Sequence, residues 1–186
     1  MARNGLLRYP PLDGLSTAQL AEYVWITLRQ RGSVGLMARL RKVAALPWAE
    51  RWLLLQVFVL LGLARLALRL IPFRRMARHL GPLQVETPPD APPEHLAQAR
   101  RVGLAIARVS PYTPWTSNCF PQALAAKYWL QRRRIPTTLY LGVALNKGEA
   151  DIRLEMEAHA WLRCGPLFVT GGRGHQRYTV TACFGA

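Results

Sequence analysis

The pattern of apolar and polar positions changes period along the chain, from helical in the first two thirds to alternating near the C-terminus. Apolar residues at helical spacing predict two short helices within residues 17–45, a long helix over 47–72 and another over 94–109. A further helix is predicted over residues 119–134. Five prolines in residues 82–93 exclude a helix or a central strand there, so we expect an extended connector.

Beyond this last helix the pattern is typical of strands. Residues 137–145 have the β-branched and aromatic content of a buried strand, and residues 152–164 alternate cleanly between two faces. Shorter strands are predicted over 167–170 and 178–184. A helix followed by strands joined through tight turns indicates the α+β class, with the helix packed on an antiparallel sheet.

These elements divide the chain into two predicted parts. Residues 1–45 form a helical N-terminal extension, and residues 46–186 form the main domain. Within that domain we distinguish a helical part over 46–81, the proline-rich connector over 82–93 and a core over 94–186. A chain of 186 residues is long enough to bury one sizeable hydrophobic core.

The long helix is apolar enough to raise the question of a membrane. The stretch Trp52–Ala64 has Gln56 as its single polar side chain, but it is shorter than the roughly 20 residues that a span needs. Arg65 and Arg69 interrupt its continuation. We expect a core helix, and the alternative is an interfacial helix over Trp52–Phe73 that touches a membrane and turns its arginines to the lipid headgroups.

The formal net charge of +15 is spread evenly along the chain, so it defines no groove and we expect no nucleic-acid binding. An arginine-rich coding bias, an anionic membrane surface or an acidic peptide partner would each account for it. The three cysteines have no CxxC spacing, and their odd number predicts free thiols in a reducing cytosol. The first residues lack the apolar core of a signal peptide, so we expect a cytoplasmic protein.

Cys119 has the sequence context of a nucleophile. Residues 116–118, Thr-Ser-Asn, offer capping side chains, and Pro121 suits a first helical turn, which places the thiol at a helix N-terminus. The helix dipole and the free N–H groups there favour a thiolate. The same N–H groups would stabilise the oxyanion that forms when this thiolate attacks a carbonyl. Cys183 lies instead in an apolar run that is typical of a core cysteine.

His159 is the candidate partner of Cys119. It lies on the more polar face of its predicted strand, and Trp161 on that face would screen an imidazole–thiolate pair from water. The common alternative is a histidine that simply faces solvent. The remaining histidines lie in basic or loop contexts: His79, His95 and His175. No histidine or cysteine pair has metal-ligand spacing, so we expect neither a metal nor a cofactor.

Three segments carry a resemblance: the helix that begins Cys119-Phe-Pro-Gln-Ala-Leu-Ala-Ala-Lys-Tyr-Trp, the run Leu139-Tyr-Leu-Gly-Val, and the run Glu157-Ala-His159-Ala-Trp161-Leu. They resemble the transglutaminase-like leader peptidases of lasso peptide biosynthesis. The similarity extends back through Leu46-Pro-Trp-Ala-Glu-Arg and covers roughly residues 38–186. The cysteine helix together with the Ala-His-Ala-Trp strand is a fairly specific combination.

The resemblance implies a papain/transglutaminase-type cysteine peptidase that removes the leader from a ribosomally made precursor peptide. Cys119 would attack the carbonyl of the last leader residue, while His159 would activate the thiol and then protonate the leaving amine. No β-rich recognition domain is evident in residues 1–44. The peptidase would therefore need a separate leader-recognition protein, and a lasso cyclase would then close the macrolactam ring.

One position departs from the family's pattern. The family generally has an aspartate about a dozen residues after the histidine, where it orients the imidazole, but this chain reads Phe168-Val169-Thr170-Gly171-Gly172. A hydroxyl or carbonyl near Thr170 could take over that role, Glu157 or Asp151 could substitute from elsewhere, or the enzyme could work as a dyad. We favour Thr170 or a backbone group.

Two other functions fit the same residues. A transglutaminase-like acyl transferase would use the same nucleophile and base, with an amine in place of water. A catalytically impaired, membrane-associated adaptor would account for the missing aspartate.

Overall fold

The computed structural model of the chain describes residues 45–147 and 154–186, with the side chains of residues 45–145 and 156–186. The two helices predicted before residue 45, and Asp151, lie outside the described residues. The chain divides after Pro47 into two units, and the second, Trp48–Ala186, contains the elements that follow. Its helices are α1 (Trp48–Leu70), α2 (Phe73–Ala77), α3 (Pro93–Val109) and α4 (Cys119–Gln131), and its strands are β1 (Thr138–Lys147), β2 (Leu154–Cys164), β3 (Leu167–Thr170) and β4 (Thr179–Gly185).

The four strands form one antiparallel sheet in the order β3-β2-β1-β4. In the β1–β2 pair, Gly142 lies opposite His159 and Tyr140 lies opposite Trp161. Short 3-10 turns at Ser110–Tyr112 and His175–Arg177 precede α4 and β4 respectively. Helices together with an antiparallel sheet confirm the predicted α+β class.

The helices pack on one face of the sheet around α4. Eight of its residues are buried, including Ala123, Ala125 and Ala126, whose small side chains let the neighbouring elements approach closely. A helix that is apolar on every side is expected at the centre of a domain. Leu139 of β1 and Leu162 of β2 face this core and are fully buried. The arrangement holds the first turn of α4, and therefore Cys119, next to the sheet.

The proline-rich connector turns at Gln84, where φ is +59°, contains no helix before Pro93 begins α3, and packs on the sheet. Leu83 and Val85 each form a bridge with Phe184 of β4. The backbone N–H of Thr87 donates to Oγ1 of Thr138 at 2.9 Å. Arg163 reaches Glu86 at 3.1 Å, so the connector also crosses the outer face of the sheet.

Helix α1 differs from the predicted core helix. Only Leu53, Val57 and Leu61 are buried, while most of the opposite face is exposed. By length and composition the helix could cross a membrane, with a mean hydropathy of 2.0 over its most apolar window. The core-helix prediction therefore holds for one face of α1 only.

Candidate active site

Cys119 is the first residue of α4, and no capping side chain occupies the helix N-terminus. Asn118 precedes it with extended backbone (φ −76°, ψ −168°) and makes no side-chain capping bond. The hydroxyl of Ser117 forms a hydrogen bond with Oγ1 of Thr113 at 2.8 Å instead. The backbone carbonyl of Ser117 accepts a hydrogen bond from Nε2 of Gln122 at 2.7 Å. The predicted side-chain cap is therefore absent, and the first N–H groups of α4 are left for a ligand.

The loop before Cys119 is held by Trp115, whose side chain packs against helix α1. The Trp115 ring lies 5.1 Å from that of Phe58, and a Cβ added at Gly62 would come within 2.9 Å of it. A glycine is required at this position of α1 because the indole occupies the space where a side chain would stand. The long helix thus helps to fix the start of α4.

His159 lies on β2, half-buried, with its imidazole held by a backbone carbonyl. Its Nε2 atom is 2.8 Å from the carbonyl oxygen of Gly171. A carbonyl can only accept, so Nε2 carries the proton and donates it. In a neutral imidazole the other nitrogen, Nδ1, is then the unprotonated one and can act as a base.

The backbone conformation of Gly171 allows its carbonyl to accept the hydrogen bond from Nε2 of His159. Gly171 has φ +68°, in the left-handed region, and a Cβ there would come within 2.3 Å of the carbonyl oxygen of Ala160. Glycine avoids both the backbone strain and the contact. Gly171 follows His159 by 12 residues, close to where the resemblance to the leader peptidases predicts an aspartate.

From the sequence, the group that orients His159 was expected to be Thr170 or a backbone group near it. The side chain of Thr170 is buried, and Oγ1 has no hydrogen-bond partner among the described residues. The group that binds Nε2 of His159 is the neighbouring backbone carbonyl, rather than the threonine hydroxyl.

Tyr178, which sequence reasoning did not single out, contacts His159 directly and is linked to Cys119 only through electrostatics. Its ring stacks on that of His159 at 4.8 Å, and its hydroxyl donates to Oε1 of Glu157 at 2.6 Å. The hydrogen bond to Glu157 raises the pKa of Tyr178. Burial, the charge of the Glu157 carboxylate and the charge of a Cys119 thiolate raise this pKa further, while the charge of Arg177 lowers it. Cys119 and His159 form no hydrogen bond with each other among the described contacts, and Tyr178 connects their surroundings. Such bonds are often long before substrate binds.

Trp161 forms the floor of this region. It is buried, lies 5.8 Å from the His159 ring and stacks on Tyr140 at 5.5 Å with nearly parallel planes. A Cβ on Gly142 would come within 2.9 Å of the indole, so glycine opposite His159 leaves room for it. The prediction that Trp161 shares the face of His159 agrees with this stacking.

His175 is a second imidazole in the same region. Its Nδ1 atom lies 2.6 Å from the carbonyl oxygen of Gly172, and its ring lies 4.3 Å from Phe168 and 5.7 Å from Trp161. Consecutive glycine carbonyls therefore hold the two histidines. The sequence signal that could have pointed to His175 is the Gly-Gly-x-Gly-His run directly after β3, because such a run marks a turn that folds back on the sheet.

The other two cysteines differ from Cys119. Cys164 and Cys183 are buried, and burial raises the pKa of each thiol. Within residues 45–145 and 156–186, no group of three His, Cys, Asp or Glu side chains could hold a metal ion. Cys119, which is half-buried, is thus the cysteine best suited to react.

Comparison with known proteins agrees with this architecture. Residues 63–183 match the model of the transglutaminase-like superfamily, a group that includes cysteine peptidases and acyl transferases. No curated protein and no solved structure matches the chain. The match covers well over half of the sequence, and it indicates a cysteine-dependent enzyme in broad terms. The chain belongs to the transglutaminase-like superfamily.

Proposed function

We propose that this protein is a cysteine peptidase that removes the leader peptide from a ribosomally made lasso peptide precursor. The superfamily supports the broad class of chemistry, and the similarity of the Cys119 helix and the His159 strand to lasso leader peptidases supports the substrate. The observation that carries the proposal is the bond between Nε2 of His159 and the Gly171 carbonyl, because it reserves Nδ1 for proton transfer.

In the proposed reaction, Nδ1 of His159 takes the proton of the Cys119 thiol. The thiolate attacks the carbonyl carbon of the last leader residue, and the first N–H groups of α4 stabilise the oxyanion. The imidazolium then gives its proton to the amine of the core peptide, which leaves. Water, deprotonated by the same nitrogen, attacks the thioester and releases the leader with a free carboxylate. The Gly171 carbonyl stabilises the imidazolium in both halves of the reaction.

The precursor would reach this site through a partner. A separate leader-recognition protein holds the leader, so the scissile bond is presented at a high effective concentration and the peptidase needs little affinity of its own. The freed core peptide then passes to a macrolactam-forming cyclase. Both partners belong to the proposal.

The proposal is tested by incubating the precursor and the recognition protein with the wild type, Cys119→Ala or His159→Ala and following the products by mass spectrometry. We expect no cleavage with Cys119→Ala, a loss of at least about 100-fold with His159→Ala, and near-normal cleavage with Cys183→Ala as the control. Undiminished cleavage by Cys119→Ala would contradict it.

The same spectra separate hydrolysis from acyl transfer. Hydrolysis gives a leader with a free C-terminal carboxylate, whereas transfer to an added primary amine gives the mass of the conjugate. A conjugate as the main product would favour the acyl transferase.

A further inference from the structure

The outer face of α1 carries a continuous apolar stripe. Its members recur at intervals of three and four residues, which places them on one side of a helix. They are 48–71% exposed, and they are Trp48, Trp52, Leu55, Val59, Leu63, Leu66 and Leu70. At about 1.5 Å per residue this outer stripe is about 33 Å long. A surface of this size rarely stays unpartnered in a soluble protein.

Arginines follow one border of the outer stripe and continue beyond it. With 3.6 residues per turn, Arg51, Arg65 and Arg69 fall on the same side of the stripe. Arg74, Arg75 and Arg78 follow in and just after α2. From Trp48 to Leu80 the single carboxylate is Glu50, and it is paired with Arg101 at 2.8 Å.

The other border carries positive charge as well. A groove of about 470 Å³ runs beside α1, with Trp52 and Val59 on one wall and Arg132 and Arg133 on the other. The Arg133 guanidinium lies 3.4 Å from the centre of the Trp129 ring. Burial and the charges of Arg101 and Arg132 lower the pKa of Arg133, so an anion at this border would relieve a repulsion between cations.

The inner face of α1 is packed against the domain along its first half. Leu53, Val57 and Leu61 belong to the main core, and Oε1 of Gln56 accepts a hydrogen bond from Nε1 of Trp129 at 3.1 Å. For α1 to cross a bilayer, these contacts would have to break. A helix that keeps them can present only its outer face to a membrane.

We propose that the outer stripe is a membrane-docking surface that binds anionic phospholipid bilayers, with α1 lying parallel to the surface. Leucines and tryptophans enter the boundary between headgroups and acyl chains, and the arginines on both borders meet the phosphates. The partner is anionic because both borders are cationic. A second copy of the chain fits poorly, since each copy carries a charge of +15 and would bring like charges together. The proposal is independent of the peptidase function.

The test is flotation of the purified full chain with vesicles of phosphatidylcholine, alone or with 30% phosphatidylglycerol. We expect at least tenfold stronger binding to the anionic vesicles, and a strong reduction by salt. Arg65→Gln and Arg69→Gln should each weaken binding roughly fivefold.

Leu55→Glu has a matched control in Leu104→Glu, because the two leucines are 51% and 52% exposed and α3 carries the second. Both variants gain the same charge, so only a stripe that enters the bilayer makes Leu55→Glu lose at least tenfold more binding than Leu104→Glu. Circular dichroism should show both folded. Equal effects of the two variants, or equal binding to neutral and anionic vesicles, would overturn the proposal. A dimer in sedimentation that Leu55→Glu dissociates would assign the stripe to self-association instead, and would also overturn it.

Discussion

Cys119 and His159 reach their positions by different means. The helix N-terminus at Cys119 is set mainly by its neighbours in the chain, because Cys119 begins α4 directly after an extended Asn118 and before Pro121, while Trp115 packs the preceding loop against α1. His159 is placed by residues that are distant in sequence, since its Nε2 atom depends on Gly171 and its ring stacks on Tyr178. A nucleophile at a helix N-terminus can be specified locally, whereas the orientation of a base on a strand depends on how the rest of the sheet folds.

The group that orients His159 is also unusual, because a backbone carbonyl stands where the resemblance to the leader peptidases predicts a carboxylate. A carbonyl accepts the same hydrogen bond as an aspartate but carries no full charge, so it fixes the imidazole tautomer with a weaker attraction for the imidazolium. Orientation then depends on backbone conformation and on aromatic stacking. The following predictions test whether His159 depends on these distant residues more than Cys119 does.

The largest effect is expected from Gly171→Ala. Alanine would take up the left-handed conformation at a cost of roughly 1–2 kcal/mol, and its Cβ would collide with the Ala160 carbonyl. The Gly171 carbonyl must then move away from Nε2 of His159, and cleavage should fall about 100-fold. Cleavage rate and urea unfolding measure the two consequences.

Gly174→Ala is the matched control for that variant. Gly174 also has a positive φ, of +74°, but a Cβ there meets nothing closer than 3.6 Å, at the end of the Arg177 side chain. It should lose similar stability from backbone strain and keep cleavage within about threefold. If both variants lost cleavage equally, the Gly171 carbonyl would have no special role.

Tyr178→Ala should have the next largest effect on cleavage. It removes the ring that stacks on His159, and because such contacts contribute roughly 1 kcal/mol we expect a loss of about fivefold. Tyr178→Phe keeps the ring and removes only the bond to Glu157, so it should retain most activity. Tyr128→Ala, at an exposed position of α4, is the control. A Phe variant as impaired as the Ala variant would assign the effect to the hydroxyl.

Lys127 tests how α4, the helix that carries Cys119, is attached to the sheet. Its Nζ atom donates to the carbonyls of Thr137 at 3.0 Å and Phe184 at 3.2 Å, and burial lowers the pKa of Lys127 from 10.5 to about 8. Between these two pH values the unfolded chain binds more protons than the folded one, so the free energy of unfolding gains from this group as pH rises. Below pH 8 both states are protonated, and the gain is absent.

The change is measured against Lys127→Met, which lacks the titrating group. Between pH 7 and pH 10 the wild type should gain about 2 kcal/mol of unfolding free energy relative to the variant, as measured by urea denaturation at the two pH values. Buried thiols and tyrosines that also titrate there affect both proteins alike. Parallel pH dependences of the two proteins would show that burial does not lower the pKa of Lys127.

The smallest effect is expected from Thr170→Val. This change replaces a buried hydroxyl that has no hydrogen-bond partner in the part of the chain that the structure describes by a methyl group of similar size, so stability should stay equal or rise by up to about 1 kcal/mol. Cleavage should remain within about twofold of the wild type if the Gly171 carbonyl holds His159. A loss as deep as that of His159→Ala would make the Thr170 hydroxyl the orienting group.

The sequence was informative where structure is local. The spacing of apolar residues predicted the helices and strands of the described domain to within a few residues, apart from the short helix α2, which was not predicted. The start of α4 followed from Pro121 and the polar residues before Cys119. The expected capping bond was absent because the hydroxyl of Ser117 turns to Thr113 instead. Even at the start of α4, the partner of the Ser117 hydroxyl depended on the conformation of the loop before Cys119.

Long-range features were beyond reach of the sequence. The sequence named a carbonyl near Thr170 as one orienting group, but the choice of the Gly171 carbonyl depends on the left-handed conformation of that residue. The stacking of Tyr178 on the imidazole depends on the turn before β4 and was not predicted. The exposed face of α1 was expected only under the alternative of an interfacial helix, because a helix that is apolar on two sides has the composition of a core helix. Composition gives the amount of apolar surface, but not which part of it the fold covers.

The most direct test of the Cys119–His159 pair is the rate of alkylation of each cysteine by iodoacetamide at pH 6, followed by peptide mass spectrometry. In a working pair Nδ1 of His159 takes the proton of the Cys119 thiol, so Cys119 should label at least tenfold faster than Cys164 and Cys183, and His159→Ala should lose most of that advantage. If Cys119 labelled no faster than the two buried thiols, or labelled equally fast in His159→Ala, the two residues would not form a nucleophile and its base.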